Sequence, residues 1–400
     1  TVPDESGFSG GGITVGLGGK LTVSDSLLDG NAGKGLGVGA PGTDVELLNS
    51  VIRGTRPDGL TPEGRAVQVD DAASVSLDGC ILEDTVGLGL LVADSESQLS
   101  LQRSVIRDTQ PVATGSHGRG VEANGGGEVF VYASLLEDNA ELGVLVDGSG
   151  SSGELVRTVV RNTVPNGDGR HGMGVQIGPG AGGHLSGCIV GGNASVGVVA
   201  NDSGEPVRVA GSIIRETVPS DPSGVGGAGL GVLAGATVEG NMCLLADNDT
   251  AGAIAFQSGS TLLLTESAVL RTGPGGAKVD GSGNAAEPVF GDGIVAEEGT
   301  SIELSSCLVA DNARCGVYYH GADGALSGNL ITGNSAFGLA LEGSAGAVEY
   351  QEAGNLILGN ALGMPQEEAA DVTDSPTGLP LPPEPEVAEM PSSGAQGEAD

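Results

Sequence analysis

An all-β solenoid of stacked coils is the fold class this sequence predicts, and three observations predict it. A short phrase ending in Asn or Thr recurs along the chain, as in Ser134-Leu135-Leu136-Glu137-Asp138-Asn139 and Ser104-Val105-Ile106-Arg107-Asp108-Thr109. Its closing residues, from Thr1 through Asn31, Thr55, Thr85 and Thr109 to Asn360, are spaced by 30, 24, 30, 24, 30, 24, 30, 24, 31, 24, 40, 22 and 26 positions. After the short spacings' markers a Gly stands four residues on (Gly35, Gly89, Gly143, Gly197, Gly252, Gly316, Gly338), followed by alternating apolar residues such as Val144 and Val146. A further apolar segment precedes each phrase, for example Val129-Phe130-Val131. Alternation at period two belongs to a strand with one buried face. Three strands per unit of 22 to 30 residues is the geometry of a parallel β-helix of about 13 coils, one of them 40 residues long.

Each element of the unit has a physical reading. One coil cannot bury its own apolar side, and stacking does so. The marker Asn and Thr side chains are expected to stack as a polar ladder at one corner, each bonding the turn of the next coil. The Gly suits either a positive φ or a close backbone approach. The longer coils carry an insertion that begins Thr-x-Pro at Thr1, Thr55, Thr109, Thr163, Thr217 and Thr272, where Pro keeps the insertion from pairing as a strand. Six such loops are expected to project from one edge, about 9.6 Å apart by strand spacing. Cys80, Cys188, Cys243 and Cys307 each sit five residues before a marker, where other coils carry Ser or Thr. The nearest two, Cys188 and Cys243, are two coils apart and too distant for a disulfide. These thiols read as small buried residues.

The apolar-x-x-Asn/Thr, short turn, Gly-apolar-x-apolar pattern resembles the right-handed parallel β-helix repeat family, the pectin-lyase-like superfold, over about residues 1–361. A leucine-rich repeat, which shares the 24-residue period, needs a helical or extended convex segment that these Gly-rich turns do not offer. The resemblance implies a right-handed solenoid at 1–361 and an extracellular or bacterial cell-surface setting. It supplies no site: the Asn-Thr-Asp, Asp-Asp, Gly-His-Gly and Arg-Ile-Lys set of the pectin hydrolases is missing, and Ser116-His117-Gly118 is only a partial echo of it.

Composition narrows the partners. With 52 acidic against 16 basic residues the chain carries a formal charge of −36, which disfavours nucleic acid and anionic membranes. No apolar run reaches the length of a transmembrane helix. Nine aromatics and no Trp mean that the core is built from Val, Leu, Ile and Ala. Thr1-Val2-Pro3 matches Thr163-Val164-Pro165 and Thr217-Val218-Pro219, so the pattern predicts further coils, and a signal peptide, upstream. Residues 362–400 form an acidic, Pro-rich segment that reads as a disordered tail; from Pro365 onward it holds seven prolines, nine acids and no Lys or Arg.

Three constellations carry candidate chemistry. Asp29, Arg53, Glu83, Arg107, Glu137 and Arg161 alternate in charge two residues before the marker and read as a salt-bridge ladder rather than a grip for an acidic polymer. Asp84, Asp108 and Asp138 follow on three successive coils and read as solvated turn acids or as oxygen ligands for Ca2+. Glu63, His117 and His171 each stand eight residues after their Thr, and together with Arg65, Arg119 and Arg170 they are the candidate binding residues of the long-loop edge. At the expected loop spacing the first three lie too far apart to share a transition metal unless the loops converge. The function these features predict is that of a non-catalytic secreted or cell-surface scaffold presenting loops for adhesion, assembly or glycan binding, with a polysaccharide or a cell-surface protein as partner. The alternative is a lyase or hydrolase of acidic glycans.

Overall fold

The computed structural model describes residues 11–59, 61–220, 226–275, 290–344, 347–351, 353–361 and 371–373. Thr1-Val2-Pro3, most of the longest loop and nearly all of the acidic tail lie outside them.

The described strands form three parallel sheets. The first holds 14 strands, from Ile13–Val15 to Val372–Thr373. The second holds 13, from Lys20–Ser24 to Val348–Glu349, and the third holds 13, from Leu27–Asp29 to Leu356–Ile357. Each coil contributes one strand to each sheet in turn, as Leu142–Val146, Ser152–Val156 and Val159–Arg161 do. The architecture is the expected right-handed β-helix, and it runs on past residue 361, where Leu339 pairs with Val372.

Equivalent residues of successive coils stand in register, so each inward position becomes a column. Ile52, Leu82, Ile106, Leu136, Val160, Val190, Ile214 and Leu245 form one such column along the third sheet, all buried. Burying one such side chain is worth about 1.5–3 kcal/mol, gained only when a neighbouring coil covers it.

The corner after the third sheet differs in detail from the expected ladder. The marker Asn side chains bond backward, to the preceding coil: Asn139 Oδ1 accepts from the Thr109 amide at 3.2 Å and its Nδ2 donates to the Ile106 carbonyl at 3.3 Å. Asn193 and Asn248 repeat this pattern. The marker Thr hydroxyls do not join in, because Thr55, Thr85, Thr109, Thr217 and Thr272 hold buried Oγ1 atoms without a hydrogen-bond partner. At this corner the short hydroxyl stops short of the coil below, whereas the longer amide reaches it and presents both donor and acceptor.

The Gly four residues past the marker is required for close approach and not for φ. A Cβ on Gly143 would stand 2.4 Å from Val160 Cγ1 and 2.6 Å from the Gly174 carbonyl oxygen. The left-handed conformation falls instead one residue before the marker, at Gly30, Gly54, Asp84, Asp108, Asp138, Asn162, Gly192, Glu216, Asp247, Arg271, Asp311, Gly333 and Gly359, where φ lies between 53° and 71°. Asp and Asn tolerate that region better than other side chains do. This accounts for the recurrence of aspartate in the column.

The Cys column behaves like the Ser column it interrupts. Cys80 Sγ reaches the Leu47 carbonyl at 3.3 Å, and its amide donates to Ser104 Oγ at 3.0 Å. All five cysteines are free and buried, and burial pushes each thiol above its usual pKa.

Candidate binding edge

The long loops leave the corner between the third and first sheets and return into the first sheet, so their closing residues continue onto its outer face. His117 and His171 sit at φ 64° and 62°, each followed by a Gly with positive φ where the loop folds back. The first loop tip is closed by the Val112 amide on the Ser116 carbonyl at 2.9 Å, the next by the Asn166 amide on the Arg170 carbonyl at 2.8 Å. Successive long loops then touch across the short coil between them: the Gly167 amide donates to the Gly115 carbonyl at 2.9 Å. Strand spacing alone would have kept them apart, and the insertions lean together instead.

Three of the six candidates meet on neighbouring loops. Glu63 Oε1 lies 3.8 Å from His117 Nε2, and Glu63 Oε2 lies 3.1 Å from Arg65. Arg65 also donates to Gln68 Oε1 at 2.8 Å, and Gln68 in turn donates to Asp70. One coil short of the next loop, Arg119 is buried between two carboxylates. It donates to Glu122 at 3.0 Å and, through two nitrogens, to both oxygens of Glu141 at 3.1 Å. Glu122 also accepts from Asn124 at 2.8 Å. Burial pushes the nearby Asp147 carboxyl upward, and Glu122 adds to the effect. Arg170 stands apart from this cluster, exposed at the loop tip, and His171 is half-buried at its own loop's return.

Glu122, Glu141, Gln68, Asp70 and Asn124 escaped the sequence reading. A signal for Glu122 was available: its column runs through Gln68, Leu91, Leu145, Gln176 and Val199, and Glu122 is the one charged residue among them. Arg119 stands in the column beside it, which holds Lys34, Arg65 and Leu88 in the preceding coils. A lone charge in a column of uncharged residues marks a place where the surroundings differ.

The two remaining constellations are simpler. The alternating charges resolve into separate pairs, Arg53–Asp29 at 2.9 Å, Arg107–Glu83 at 2.6 Å and Arg161–Glu137 at 2.6 Å, each Arg reaching back to the preceding coil. In the aspartate column Asp84 is held by Arg56 at 2.8 Å and Gln110 at 3.1 Å. Asp138 accepts from Asn162 at 3.2 Å, and Asp108 is exposed near Arg107 at 3.9 Å. Partial desolvation raises the Asp108 carboxyl's pKa, and Asp138, Glu83 and Glu137 add repulsion that Arg107 partly offsets. Among the described residues no three His, Cys, Asp or Glu side chains gather as a metal-holding group.

A family model described as a right handed beta helix region matches residues 66–214 and 174–361. The chain belongs to the right-handed β-helix family. No curated relative matches its sequence. Among solved structures this β-helix protein is similar to the pectate lyase Pel9A, at 12% identity and a TM-score of 0.44 over 74% of this chain and 72% of that one. It is also similar to the periplasmic alginate epimerase AlgG, at 12% identity and a TM-score of 0.42 over 86% and 78%. A GH87 α-1,3-glucanase catalytic unit from Streptomyces thermodiastaticus strain HF3-3 is similar at 10% identity and a TM-score of 0.39 over 85% and 63%. Among the described residues no helix is long and apolar enough to cross a membrane.

Proposed function

We propose that this β-helix protein is a non-catalytic scaffold, secreted or displayed at a cell surface, whose long-loop edge binds a glycan. The observation that carries the reading is the saturation of Arg119 by Glu122 and Glu141, all three buried. A guanidinium held by two carboxylates is fixed in place and electrically compensated. Beside it, the chain from Glu63 through Arg65 and Gln68 to Asp70 is bonded internally in the same way. The half-buried Glu63, Arg65 and Asp70 of that chain are thereby held in place and present acceptors and donors to sugar hydroxyls at little reorganisation cost. It offers little to a polyanion, since the acids around it outnumber the bases.

A second reading, a polysaccharide lyase or hydrolase, is favoured by the approach of Glu63 to His117, a carboxylate and an imidazole within reach of one bound water. One experiment separates the two. Neutral glucans and uronate polymers are incubated with the protein, with and without Ca2+, while reducing ends and unsaturated products are followed and bound polymer is measured by retention. The scaffold reading expects retention without cleavage, and retention that Arg65→Ala weakens. Cleavage that disappears in His117→Ala or Glu63→Gln would replace it by the enzyme.

A further inference from the structure

The charged column that flanks the third sheet ends at Arg215. From there on the same outward position holds Ala246, Leu270, Ala310, Thr332 and Leu358. Two positions earlier in each of these coils the outward residue is aliphatic as well: Leu244, Ala268, Leu308, Leu330 and Leu356. The end of this sheet therefore turns an uncharged, apolar strip to the outside, where the coils before it carry Arg–Glu and Arg–Asp pairs. Met242 extends the strip at 59% exposure, and Leu330, Leu356 and Leu358 remain 38%, 58% and 50% exposed in the folded chain. Half of the exposed large hydrophobics among the described residues lie on this one strip. Apolar residues gathered in that way mark an interaction surface, whereas the same residues scattered singly do not.

We propose that a second copy of this chain covers the strip, in an antiparallel dimer whose two-fold axis runs along the strand of Leu308. Self-complementarity chooses that occupant. A two-fold axis parallel to the strands reverses the order of the coils, so each coil of the strip faces another coil of the same strip. Ala268 then meets the partner's Leu330, Ala246 the partner's Leu358 and Met242 the partner's Gly354, a large side chain opposite a small one each time. Glu266, the one charge in the flanking column from Met242 to Gly354, meets the partner's Gly328 and keeps its access to water at the rim. A parallel dimer would instead extend into the charged coils and set Arg103 against the partner's Arg107. The strip spans about 24 Å across its coils and about 16 Å along its strands, about 400 Å² on each copy. That is the scale of a weak, reversible contact. Each copy carries −36, so repulsion opposes the contact until salt screens it. In this arrangement the strands of both copies run the same way, which puts both long-loop edges on one side of the dimer. On the glycan reading above, two such edges act as one bivalent site; the dimer itself does not depend on that reading.

The test uses the full chain with no glycan present. Sedimentation velocity from micromolar to millimolar protein should show a monomer–dimer equilibrium that strengthens with added NaCl. The variant Leu330→Gln/Leu356→Gln changes two exposed side chains and no charge, and is expected to weaken association about tenfold or more at an unchanged melting temperature. Ser306→Cys puts an exposed thiol beside the axis, where a short bis-maleimide should join the two copies. Glu303→Cys, equally exposed on the second sheet of the same coil, should give no such product. The native cysteines are buried and do not compete. Four outcomes would overturn the proposal. The native chain stays monomeric at millimolar concentration and high salt; a dimer forms that the double variant does not weaken; Glu303→Cys cross-links as well as Ser306→Cys; or the chain binds phosphatidylcholine vesicles without associating with itself, which makes the strip a membrane contact.

Discussion

Arg119 and Glu141 meet side by side across two coils, the guanidinium Nε and one terminal nitrogen each donating to a separate carboxylate oxygen at 3.1 Å, with both side chains buried. Removing one member of a buried pair strands the other, which costs about 3–5 kcal/mol. Arg119→Met leaves both Glu122 and Glu141 without a counter-charge and is expected to destabilise its own coils by that amount. Adding Glu122→Leu, the residue that Leu91 and Leu145 exemplify in this column, and Glu141→Gln should restore most of it. Because solenoid stability is largely nearest-neighbour, hydrogen exchange of the amides between 119 and 146 is the measurement. Loss of protection spread evenly along all coils would contradict the prediction.

The marker corner predicts opposite signs for its two residue types. Thr109 Oγ1 is buried without a partner, so Thr109→Val removes an unmet polar group at constant shape and should stabilise by about 1 kcal/mol. Asn139→Ala strips partners from the Thr109 amide and the Ile106 carbonyl and should cost about 2–3 kcal/mol. Thermal or urea unfolding of the two variants beside the parent checks both, and a stabilising Asn139→Ala would show that the amide ladder is dispensable.

The Cys column should accept Ser without loss. Cys80 bonds the Leu47 carbonyl just as Ser134 bonds the Leu101 carbonyl, so Cys80→Ser is expected to change stability by less than about 0.5 kcal/mol. Cys80→Val, which cannot donate to that carbonyl, should cost about 1 kcal/mol. Non-reducing mass spectrometry of the denatured protein should find all five thiols free, in keeping with their separate burial.

Calcium at the aspartate column is expected to show as a difference between salts. If one ion bridges Asp108 and Asp138, relieving the repulsion that raises Asp108, then millimolar CaCl2 should raise the melting temperature more than NaCl at equal ionic strength. Asp108→Asn should abolish the difference. It should also leave stability near neutral pH unchanged or slightly higher. The folded pKa of Asp108 is raised, so its ionised form is the disfavoured one above that pKa, and the variant removes that charge. Equal shifts by the two salts would assign the column to its turn conformation alone, for which φ near 55° favours Asp, Asn and Gly, although Glu216 and Arg271 also adopt it.

What the sequence determined by itself was the solenoid: the spacing of Asn139 and Thr163 dictates the coil, and the alternation of Val144 with Val146 dictates which side faces in. A repeat makes every coil's environment the same, so local pattern and global fold carry one message. The salt-bridge column was legible for the same reason, since Arg107 and Glu83 are bound to meet once coils stack in register. Only the tertiary structure decided what breaks the repeat. Loops of unequal length have no register to hold them, and whether Gly167 would touch Gly115, or Glu63 approach His117, depends on the direction in which each insertion leaves the corner. The same holds for the apolar cluster on the outer face of the first sheet. Leu145 and Val199 alternate in sequence with Val144 and Val198 as part of continuous apolar runs, and such runs do not say whether one face or both are buried; that emerges from burial on both sides of one sheet.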